Sequence, residues 1–193
     1  MAKQLTMAHV LLAAGALALI GGGAQAQGKT SSSSAQKTGT VPAADKKFAM
    51  AAAQGGLTEV QLGEIATKQG SSDAVKQFGQ KMVDDHGKAN DDLKSVASNK
   101  GLALPTEPNA SQKATIARLS KLHGAAFDSA YIKDMKADHK KDIADFKKES
   151  TSGQDSDIKA FATRTLPVVE SHYSMLMNMG SSSGGKMSTT KKM

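Results

Sequence analysis

Four stretches of this chain, each about 25 residues long, carry apolar residues at alternating steps of three and four, and each stripe is interrupted by one ionisable residue. That spacing is the repeat of an α-helix with a single buried face. The first stripe runs Phe48, Ala52, Gly55, Glu59, Leu62, Ala66, and the second Val75, Gly79, Met82, His86, Ala89, Leu93, Val96. The third is Ile132, Met135, His139, Ile143, Phe146, and the fourth Ile158, Phe161, Thr165, Val168, His172, Leu176, Met179.

The punctuation between stripes sets the wiring. Gly70 is a natural stop and Ser72 can cap the next helix; Ser152-Gly153 and Asp155 do the same further on. These short turns predict two antiparallel hairpins. Gly101 ends the second stripe, Leu104-Pro105-Thr106-Glu107-Pro108 reads as a loop, and a short helix is expected from Ser111 to Leu122, closed by His123-Gly124. The expected fold class is therefore all-α: a ferritin-like four-helix bundle with a short extra helix in the long crossover between the second and third long helices. Pro167 removes a backbone donor inside the fourth stretch and predicts a kink. Scarce aromatics (4%, with no Trp) suit helices packed through small side chains better than a β-sandwich.

The ends have a different character. Lys3, the apolar run Val10 to Ile20 and Ala24-Gln25-Ala26 have the charge, core and A-x-A site of a secretory signal peptide, residues 1–26. The run is too short for a membrane span of about 20 residues, so no transmembrane span is expected in the mature form. Gln27 to Thr40 is rich in Ser, Gly, Lys and Thr, and residues 27–42 read as a disordered linker. The bundle is expected over 43–179 and a second disordered tail over 180–193.

The absence of cysteine excludes disulfides, thiolate zinc and iron–sulfur sites. The net charge of +7 comes almost wholly from Lys, with only Arg118 and Arg164 as Arg, and it is interleaved with Asp. Base reading favours the bidentate Arg fork, so no nucleic-acid partner is expected; the excess suits solubility and loose association with anionic envelope surfaces.

Glu59, His86, His139 and His172 fall on the stripes, one per long helix, where an unpaired charge is costly. Folding the first two helices about their turn puts Glu59 level with Met82, one turn from His86; the same operation leaves His139 and His172 about 10 Å apart along the axis. Whether the two pairs form one cluster depends on the crossover. Met82-Val83-Asp84-Asp85-His86-Gly87-Lys88 and Met135-Lys136-Ala137-Asp138-His139-Lys140-Lys141 share M-x-x-D-H-x-K, and Met175 lies one turn past His172. Imidazole suits many metals and thioether selects soft ions, so this set points to a transition metal, copper first. Glu59, His86, His139 and His172 would form the inner site, with Met82, Met135 and Met175 auxiliary and Asp85 and Asp138 as ligands or their supports. The alternative is a metal-free buried polar network with Met as core filler.

Five blocks carry a resemblance: Gly55-Gly56-Leu57-Thr58-Glu59-Val60, the block around His86, Ala126-Phe127-Asp128-Ser129-Ala130-Tyr131, Ala137-Asp138-His139, and Ala162 through His172. Together, over about Asp45 to Met179, they resemble the family catalogued as domain of unknown function 4142. The resemblance implies a ferritin-like fold and an exported bacterial envelope protein, periplasmic or outer-membrane-associated, and brings no established activity. No run alternates as a membrane barrel strand would. Ferritin chemistry does not transfer with the fold: the chain has no Glu-x-x-His, and Glu170 and His172 are two residues apart. With no nucleophile–base spacing and no phosphate loop, an enzyme is the less favoured reading and the question stays open; the reading adopted is an envelope protein with a candidate metal site, and the alternative is a non-catalytic structural or stress-related envelope protein.

Overall fold

The computed structural model describes residues 40–182, with side chains to Met179. The expected signal peptide, most of the linker and the tail beyond Ser182 lie outside the described residues. Among those described there are five helices and no strand: α1 (Ala43–Gln69), α2 (Asp73–Asn99), α3 (Ala110–Leu119), α4 (Gly124–Ser152) and α5 (Ser156–Ser182). None is long and apolar enough to cross a membrane.

Local chemistry explains the boundaries. Ser72 Oγ accepts the Val75 amide at 3.3 Å, and Asp155 Oδ1 accepts those of Asp157 and Ile158 at 3.0 and 3.1 Å, so both caps stand where the sequence puts them. Helix α3 opens with a reciprocal cap: Asn109 Oδ1 accepts the Gln112 amide and Gln112 Oε1 accepts that of Asn109. It ends three residues earlier than expected, at Leu119, because the chain then turns through Ser120–Leu122 to reach Gly124 at φ +61°. Helix α5 runs through Pro167.

Helices α1 and α2 pack along each other, as do α4 and α5, and the pairs meet through α2 with α5 and α1 with α4. Glycine sets the first approach: a Cβ on Gly63 would sit 2.5 Å from the Gly79 carbonyl oxygen, and one on Gly79 would sit 2.7 Å from Ala66 Cβ. Each hairpin turn is clasped by a carboxylate from the other pair. Asp128 of α4 accepts both amides of Ser71 and Ser72 at 2.9 Å and the Ser71 hydroxyl at 2.8 Å. Asp45 of α1 accepts the amides of Gln154 and Asp155.

The interior has three layers. Leu62, Ala66, Val75, Phe78, Met82, Phe127, Tyr131, Met135 and Leu176 form one apolar cluster near the α1–α2 turn. Ala49, Ala53, Leu93, Phe146, Ile158, Phe161 and Ala162 form another near the α4–α5 turn. Between them each long helix contributes one buried ionisable residue. The stripes are corrected in places: α5 buries Val169 where the stripe has Val168, α2 buries Ala97 beside a partly covered Val96, and Ile132 and Ile143 of α4 are only partly covered. The largest departure is the first half of α1, which buries Ala49, Ala53 and Gly56 and leaves Phe48, Ala52 and Gly55 only partly covered. That run is so rich in Ala and Gly that adjacent faces are almost equally apolar, and packing decides between them.

Candidate metal centre

The polar layer holds Glu59, His86, His139 and His172, which are 1%, 6%, 0% and 0% exposed. Glu59 and His86 meet directly, Oε2 to Nδ1 at 2.8 Å. His139 Nε2 and His172 Nδ1 are 3.4 Å apart, closer than the axial offset suggests, since side chains lean toward their own helix N-termini. The two pairs do form one cluster. Glu59 Oε1 lies 3.4 Å from His139 Nδ1, and the ring centroids of His86 are 5.6 and 5.2 Å from those of His139 and His172.

The partners behind each ring determine which nitrogen is left. His139 Nδ1 is 3.1 Å from the Met135 carbonyl oxygen, an acceptor only, so it carries the hydrogen and Nε2 keeps a lone pair. His172 Nε2 donates to Asp85 Oδ2 at 2.7 Å, which leaves the lone pair on Nδ1. His86 Nδ1 faces Glu59; its Nε2 is buried with no hydrogen-bond partner. With Glu59 ionised, each ring therefore keeps one lone pair, and one ligand nitrogen from each ring lies within 4.8 Å of the others. Two nitrogens about 2.05 Å from a tetrahedral ion stand about 3.3 Å apart, close to the His139–His172 separation. A histidine oriented from behind by a carboxylate or carbonyl is the usual support of a metal-binding ring.

Ionisation follows from burial. Desolvation pushes His86, His139 and His172 each down to about 4, against the pull of nearby carboxylates, so all three rings are neutral at pH 7. Burial pushes Glu59 up to about 8; His139 opposes this and Asp138 adds to it. Glu59 thus holds a proton at neutral pH that a cation among the rings would displace. Burial also raises Asp138 and Asp142, whereas the hydrogen bonds from Lys81 and His172 outweigh burial at Asp85 and hold it below its ordinary value.

The remaining expected residues divide. Asp85 supports His172, and the Asp138 carboxylate lies within 4.8 Å of ligand atoms of Glu59 and His139. Met82 and Met135 are buried in the first apolar cluster and Met175 packs against it. Three nearby residues escaped the stripes. Phe78 walls the site, its ring centroid 6.2 and 6.1 Å from those of His139 and His172. Tyr131 has a buried hydroxyl without a hydrogen-bond partner, and half-buried Asp142 lies near Glu59 and Asp138. The signal for the two aromatics was present: Phe78-x-x-x-Met82-x-x-x-His86 and Tyr131-x-x-x-Met135-x-x-x-His139 extend the internal echo one turn back.

A family model described as Domain of unknown function (DUF4142) matches residues 30–179, so the chain belongs to that family. No curated protein and no solved structure matches the chain.

Proposed function

We propose that this DUF4142 protein is an exported, ferritin-like four-helix bundle that binds one transition-metal ion through His86 Nε2, His139 Nε2 and His172 Nδ1. The observation that carries the reading is that each of the three rings brings a nitrogen within 4.8 Å of the others. Beside it, the hydrogens of His139 and His172 are committed to acceptors behind the ring, and His86 Nε2 is buried without a partner. Three neutral imidazoles suit zinc and copper, and copper binds such donors more tightly. The preference for copper no longer leans on thioethers, since Met82 and Met135 fill an apolar cluster. Three protein ligands leave further coordination positions for water or a small anion. The wiring of two hairpins and one crossover supports the bundle assignment, and the charge, apolar run and Ala24-Gln25-Ala26 support export to the periplasm or outer-membrane surface.

The test is ion content on untagged protein. Cu(I), Cu(II) and Zn(II) are titrated into wild type and into a His86→Ala, His139→Ala, His172→Ala variant. Near-unit stoichiometry and a raised melting temperature in wild type alone are expected. A second reading has its own support: the Glu59–His86 and Asp85–His172 contacts are already short hydrogen bonds, as a purely structural network requires. On that reading no ion changes the melting temperature and the triple variant is simply less stable.

A further inference from the structure

The three rings are covered on all sides, so an ion needs a way in. A cleft of about 370 Å³ opens between α1, α3 and α4, walled by Thr58, Leu62, Arg118, Asp134, Asp138 and Lys141. Asp138 belongs both to this cleft and to the polar layer, where its carboxylate lies within 4.8 Å of ligand atoms of Glu59 and His139. Glu59 Oε1 is buried there without a hydrogen-bond partner, because the neighbouring His139 Nδ1–H is directed to the Met135 carbonyl.

We propose that this cleft admits the ion, and that Asp138 with Glu59 Oε1 is a transit site that captures a divalent cation and hands it to the imidazoles. The proposal rests on the three-histidine reading and adds a route to it. Carboxylate oxygens take hydrated divalent ions readily, while imidazole nitrogens hold transition ions more tightly, so transfer runs inward. The cleft wall also carries two cations, each held by a carboxylate: Arg118 of α3 pairs with Asp134, and Lys141 with Asp145. Arg118 ties α3 to α4 across the opening and opposes an approaching cation, so its removal speeds loading.

The experiment follows Co(II) itself by its visible absorption, in stopped flow, on the metal-free wild type, Asp138→Asn, Asp138→Glu and Arg118→Ala. Asp138→Asn reaches the wild-type final absorbance about tenfold more slowly, Asp138→Glu regains most of the rate, and Arg118→Ala loads faster than wild type. An Asp138→Asn rate equal to wild type overturns the route and leaves the three-histidine site standing. A lower final stoichiometry in Asp138→Asn also overturns it, making Asp138 a ligand of the resting site. If wild type takes up no Co(II), the three-histidine reading fails and the route with it.

Discussion

The apolar cluster near the α1–α2 turn and the polar layer beside it are built from the same four helices, one turn apart. Leu62, Met82, Met135 and Leu176 stand three or four residues from Glu59, His86, His139 and His172. Both sets are buried to a similar degree. Folding needs only volume at these positions, and the cluster supplies it with dispersion and desolvation. The layer fills the same volume with groups whose burial is costly and whose hydrogen bonds leave Glu59 Oε1 and His86 Nε2 unpartnered. An all-helical core of this size does not require such a layer for stability, which is why we assign it a ligand.

The strongest way to sharpen the contrast is to open the cluster. Phe78→Ala should cost about 3–5 kcal/mol in urea unfolding, since the ring is fully buried and packs against two site histidines. The layer should respond in the opposite sense when both members of a pair become apolar. Glu59→Leu with His86→Leu is expected to stabilise the metal-free protein by about 1–4 kcal/mol and to abolish ion binding. Glu59→Leu alone should destabilise, because His86 Nδ1 loses its partner. A less stable double variant would mean that the layer is a structural asset.

Between pH 6.5 and 8 the layer should weaken while the clusters do not. Glu59 sits at about 8 in the fold against an ordinary 4.5, so its contribution is complete below 4.5 and is lost as pH rises through 8. The three rings act the other way: their contribution is complete above 6.5 and is lost as pH falls through about 4. Above 6.5 only the carboxyl side remains, with Asp142 acting in the same sense as Glu59. Metal-free wild type should therefore lose on the order of 2 kcal/mol from pH 6.5 to 8 through Glu59, and Glu59→Gln should flatten the profile. A bound ion should reverse the trend, its stabilisation growing with pH as the Glu59 proton is released.

The smallest effects contrast two glycines on α2. Gly79→Ala meets Ala66 and the Gly63 carbonyl and should cost about 1–3 kcal/mol. Gly87→Ala meets nothing within 4 Å and should gain about 0.5–1 kcal/mol from helix propensity. Thermal melts of the two variants decide this.

Much of the helical framework was legible because it rests on local chemistry. The stripe period, the Ser72 and Asp155 caps and the turns at Gly70 and Gly153 are properties of neighbouring residues. The four ionisable residues were also legible as interruptions of the stripes. Their convergence was not, because it depends on how the connection from Lys100 to His123 sets one helix pair against the other, fixed in part by a bridge between Gly70 and Gly124. The clasps by Asp45 and Asp128 were invisible for the same reason: each accepts from a turn more than 50 residues away, 57 in the case of Asp128 and Ser71. The methionines show a third limit, since a thioether on a stripe reads equally as filler or ligand until its neighbours are known.

X-ray absorption on the protein loaded with one equivalent of Cu(II) or Zn(II) tests the central claim most directly. The account predicts a first shell dominated by three nitrogens at about 2.0 Å, with the outer-shell scattering of imidazole and at most one or two further light ligands. A shell of oxygens without imidazole scattering, a sulfur-dominated shell, or failure to retain either ion would contradict it.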